Sequence, residues 1–117
     1  MKNLIQIKER YLKDTVPVRL GGLAANLARV KSFSKNLANR DVVFELFQES
    51  KFFIEWTAQE TEIETTVELI ELQLQIAIWQ QNWQKNWNDD DMRQLVAQTS
   101  SDWSDRVLTK SGLLKLV

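Results

Sequence analysis

Cysteine is missing from this chain, and so is histidine. The first absence excludes a disulfide framework, a thiolate metal site and a thiol nucleophile. The second removes the commonest general base and the commonest metal ligand together. Any catalysis would rest on Asp, Glu, Lys, Arg, Ser, Thr or the single Tyr11. No motif assembles them, so the chain reads as a non-enzyme without cofactor or metal. Proline occurs once and glycine three times, which leaves long stretches without a helix breaker. No apolar run approaches the roughly 18 residues of a membrane span. The first residues, MKNLIQIKERY, are too polar for a signal peptide. The expectation is a cytoplasmic protein with no membrane partner.

The 117 residues present fit one domain, 1–117, with enough chain for one hydrophobic core. The net charge of −1 hides an asymmetry. Residues 1–40 carry nine Lys and Arg against two acids, and residues 41–71 carry nine acids against one lysine. Two readings follow. The basic segment packs on the acidic one, with Arg19, Arg29 and Lys31 set against Asp41, Glu45, Glu49 or the acidic start of the long helix near 61–87. Alternatively, Arg19, Arg29, Lys31, Lys35 and Arg40 form a nucleic-acid-binding surface.

The stretch 61–87, TEIETTVELIELQLQIAIWQQNWQKNW, organises the chain. One apolar row is Ile63, Val67, Ile70, Leu74 and Ala77. A second is Leu69, Leu72, Ile76, Trp79, Trp83 and Trp87. Both follow helical spacing and lie on nearly opposite sides of one helix. Thr61 and Glu64 match a capping box at its start. Four further helices are predicted, over 3–14, from Pro17 to about 33, over 40–58 with Asn39 as cap, and from Asn88 or Asp89 to Ser111-Gly112. Gly21-Gly22 marks a kink or a late start of the second helix. Gly21, Ala24, Ala25 and Ala28 form a strip suited to close helix contact. The fold class is all-α, an antiparallel bundle of four to five helices around the long helix 61–87.

Glu60, Glu64, Glu68 and Glu71 share one helix face, but without histidine they read as a solvated acidic surface rather than a metal site. Trp79, Trp83 and Trp87 near basic residues could stack on single-stranded nucleic acid or line a small-molecule pocket, while core packing is the plainer reading. The end at Trp83 and Trp87 outruns the preceding helix, and the chain closes on the apolar LLKLV. A homodimer, or pairing with another protein, through Trp83, Trp87, Leu113, Leu114 and Leu116 is therefore expected.

The stretches PVRLGGLAANLARVKSFSKN, ESKFFIEWTA and ELIELQLQIAIWQ resemble a small, uncharacterised family of cyanobacterial helical proteins. The resemblance implies an all-helical, cytoplasmic bacterial protein and brings no activity or functional residue.

Overall fold

Six helices account for nearly all of the computed structural model, which describes residues 3–113. Helix α1 spans Leu4–Leu12, α2 Val16–Phe33, α3 Arg40–Thr57, α4 Ile63–Gln81, α5 Trp83–Asn88 and α6 Asp90–Ser111. Single 3₁₀ turns, Leu37–Asn39 and Ala58–Glu60, lead into and out of α3. The all-α bundle expected from periodicity is the fold.

Local chemistry sets most boundaries. The Asn3 side chain accepts from the Ile5 and Gln6 amides and starts α1. Pro17 sits in the first turn of α2, where its missing N–H costs nothing. Asp89 accepts from the Met92 amide and starts α6. Gly112, at φ 80°, ends it in the left-handed conformation that glycine adopts most easily.

Other expectations are corrected. Helix α2 runs unbroken through Gly21-Gly22. Asn39 does not cap α3; its Nδ2 donates to the Phe33 carbonyl instead. The capping box at Thr61 does not form, because the Thr61 hydroxyl is engaged with the Ala58 carbonyl and with Thr66, and Glu62 precedes the helix. The long helix is broken at Asn82 (φ −123°, ψ 54°) into α4 and α5. Asparagine is a weak helix former whose side chain competes for backbone groups, which suits it to the break.

The most extensive pairing joins α2 to α6, and α3 covers another side of α2. Small residues explain the closeness. Ala24 of α2 is buried, its carbonyl accepts from Ser104 Oγ at 2.7 Å, and Ser100 and Ser104 of α6 are buried with it. A Cβ on Gly21 would come within 2.8 Å of Leu113, just past the end of α6. Ala25 is half-buried and Ala28 is exposed, so only the first half of the strip is a contact. Ala24→Phe should therefore cost about 1–3 kcal/mol by overpacking. Ala28→Phe should leave the denaturation midpoint in place. Equal midpoints for both variants would show that α2 and α6 are not in close contact.

The core is one continuous cluster. At one end Tyr11 stacks on Phe53 with ring centroids 3.9 Å apart. Its hydroxyl donates to the Arg19 carbonyl at 2.8 Å and accepts from Thr57 Oγ1 at 3.5 Å. Burial pushes its pKa from 10.0 up to about 12. A phenol with a raised folded pKa holds its proton more tightly in the folded state. Stability is thus full below pH 10 and falls as pH rises from about 10 to about 12, by roughly 2–3 kcal/mol in all. Denaturation of wild type and Tyr11→Phe between pH 8 and 11.5 checks this. Wild type should lose stability faster as pH rises, and parallel curves would refute it.

Candidate functional site

The two apolar rows of the long helix meet opposite fates. Leu69, Leu72, Ile76, Trp79, Trp83 and Trp87 all face inward and are buried. Trp87 keeps only 1% of its surface, its Nε1 donating to the Leu37 carbonyl at 2.9 Å. Trp83 Nε1 donates to the Arg40 carbonyl at 3.0 Å, and its ring meets Phe47 edge-on at 5.8 Å. Indoles with satisfied N–H groups in a packed interior are core. Trp83 and Trp87 are accordingly corrected as partner contacts, since the single chain already covers them. Leu113 is half-buried beside Gly21. Leu114 and Leu116 lie outside the described residues.

The other row is left in solvent. Ile63, Val67, Ile70 and Leu74 are exposed, with 79% and 60% of the surface open at Ile63 and Leu74. Ala77 is exposed too, and Ile78, which belongs to neither predicted row, extends the face with 61% open. Spacings of four, three, four and four place Ile63, Val67, Ile70, Leu74 and Ile78 in one seam along α4, about 22 Å from Ile63 to Ile78. The exposed apolar area is roughly 500 Å², at the upper end of what a monomer shows and of the size that marks interaction sites. Glu64 and Glu71 border the seam and are exposed.

The basic residues do not form one stripe. Arg19 is buried, with Nη1 bonded to Glu60 at 2.6 Å, Nε to the Asp14 carbonyl and Nη2 to the Leu12 carbonyl. It ties the α1–α2 turn to the turn after α3, one of the basic-to-acidic contacts anticipated. Arg29 donates to Asn26 Oδ1, and Asn26 donates to Glu49. Arg40 pairs with its neighbour Asp41. Lys31 and Lys35 line a hollow of about 530 Å³ with Arg93. The five positions thus fall on different parts of the surface or inside it.

The glutamate series is also divided. Glu60 serves Arg19. Glu68 binds Arg106 at 2.7 Å and lies 3.5 Å from Lys110. The hydrogen bond from Arg106 and the nearby charges hold its carboxyl below the usual range. Arg106 in turn lies over the Trp103 ring at 3.9 Å. The described residues hold no group of three or more carboxylates placed to bind a metal ion.

No described helix is long and apolar enough to cross a membrane. No family model, curated protein or solved structure matches the chain.

Proposed function

We propose that this protein is a non-enzymatic helical interaction module that pairs with a second copy of itself through the outer face of α4. The exposed seam Ile63–Val67–Ile70–Leu74–Ile78 carries the proposal. An apolar row of this length on a folded chain costs solubility unless something covers it. A second copy is a fitting cover, because the seam is nearly symmetric about Ile70. In an antiparallel pair, Ile63 meets Ile78 and Val67 meets Leu74 of the other copy. A parallel pair would set the acidic ends at Glu60, Glu62 and Glu64 against each other and align the two helix dipoles. Antiparallel pairing separates these ends by the length of the helix and closes a two-fold.

About 500 Å² per copy falls short of the ~800 Å² of a standard stable interface, so the pairing is weak and dynamic. The same reading sets the module in a reducing cytoplasm, which suits a chain without cysteine. Sedimentation of wild type across a dilution series is the test. Average mass should rise from one chain toward two between about 1 and 100 μM, as expected for a small interface. One-chain mass at several hundred micromolar would overturn the proposal.

A further inference from the structure

A second candidate surface involves none of the buried tryptophans but flanks α3. A groove of about 770 Å³ lies among α1, α2 and α3. Leu4, Ile7, Val42, Leu46 and Phe52 give it an apolar floor. Asp41, Glu45 and Glu49 line it at successive turns of α3, with Arg29 as the cation among them. Carboxylates repeated at i, i+4 and i+8 destabilise their own helix unless cations offset them. The basic segment that could have supplied those cations does so only in part. Arg29 reaches Glu49 through Asn26, Arg40 takes Asp41 from the side, and Glu45 has no hydrogen-bond or ion-pair partner among the described residues.

The geometry points to this groove as the docking site for a basic amphipathic helix of a partner protein. One helical turn separates successive carboxylates, a rise of about 6 Å. Lys or Arg repeated every fourth residue on a helix laid beside α3 would match that ladder step for step. The apolar edge of the same helix would enter the floor between Ile7 and Leu46, the helix-in-groove mode of recognition. Charge complementarity selects the partner: an acidic helix would meet three carboxylates with one arginine among them. The site is separate from the outer face of α4 and does not depend on self-pairing.

The probe is a fluorescent 15-residue helical peptide with Leu along one edge and Lys at every fourth position beside it. A control peptide carries Glu in place of Lys. Anisotropy titrations with the full chain should show saturable binding of the Lys peptide that weakens as salt rises, and no binding of the Glu peptide. Glu45→Lys should weaken binding by about tenfold or more, as like charges are brought together. Glu45→Gln should weaken it less, and both variants should keep the wild-type circular dichroism spectrum. Ile70→Glu, on the outer face of α4, should leave peptide affinity unchanged. Equal binding of both peptides, unchanged affinity in Glu45→Lys, loss of binding in Ile70→Glu, or no binding at 1 mM would each overturn the assignment.

Discussion

Ile70→Glu is expected to hold the chain at one-chain mass at every concentration where wild type associates. Ile70 sits at the middle of the exposed seam, so an antiparallel pair brings both copies of it close to the two-fold. Two carboxylates desolvated there, facing each other, would cost several kcal/mol, more than an interface of this size can offset. The dissociation constant should rise at least about a hundredfold, equivalent to roughly 2.7 kcal/mol. The side chain is exposed in the monomer, so the variant should unfold at the wild-type midpoint. That pairing of effects separates an interface residue from a structural one. Glu71 borders the same dyad, and Glu71→Gln should tighten the pair by removing an existing repulsion. If Ile70→Glu dimerises like wild type, the seam is not the contact.

Trp87→Ala should be among the most damaging single substitutions. Its ring is almost wholly enclosed, lies 5.6 Å from Trp83 and 5.7 Å from the Arg93 guanidinium, and holds the turn before α3 through Leu37. Removing a buried indole costs about 3–5 kcal/mol. The Leu37 carbonyl then loses its donor, which adds about 1 kcal/mol. Against a total of about 5–15 kcal/mol for a domain, the variant should be partly unfolded at 37 °C. Trp87→Phe keeps most of the ring and should lose only about 1–2 kcal/mol, chiefly the hydrogen bond. Urea denaturation gives both values. A loss under 1 kcal/mol in Trp87→Ala would mean that this end of the molecule is not packed as described.

Helical periodicity carried most of the fold. In α3 the helically spaced Val43, Phe47, Ser50, Phe53, Ile54 and Thr57 are buried while Leu46 of the same row is half-buried, and the start and end of α6 follow from Asp89 and Gly112. The candidate site was only half legible. Two apolar rows on one helix announce that both need covering, but not which the chain covers itself. The row with the indoles turned inward because rings of that size pack on Phe44 and Phe47 of α3 and their N–H groups reach the Leu37 and Arg40 carbonyls. The aliphatic row was left outside. Asn82 gave little warning, having neither proline nor glycine beside it. The groove depends on where α1 lies against α3, a contact between helices that no local pattern encodes.

The most extensive pairing in the molecule also joins parts far apart in the chain. Ser104 of α6 bonds to Ala24 of α2 across 80 residues of chain. On a ribosome adding 5–20 residues per second, α2 therefore waits roughly 4–16 s for its main partner. During that interval Leu20, Leu23, Leu27 and Val30 lack the cover of α6. Helical proteins usually fold early through neighbours in sequence, whereas this one must close a long loop to complete its centre. A nascent chain stalled before α6 should accordingly be digested by protease across α2, and extension through the 22 residues of α6 should abolish that sensitivity.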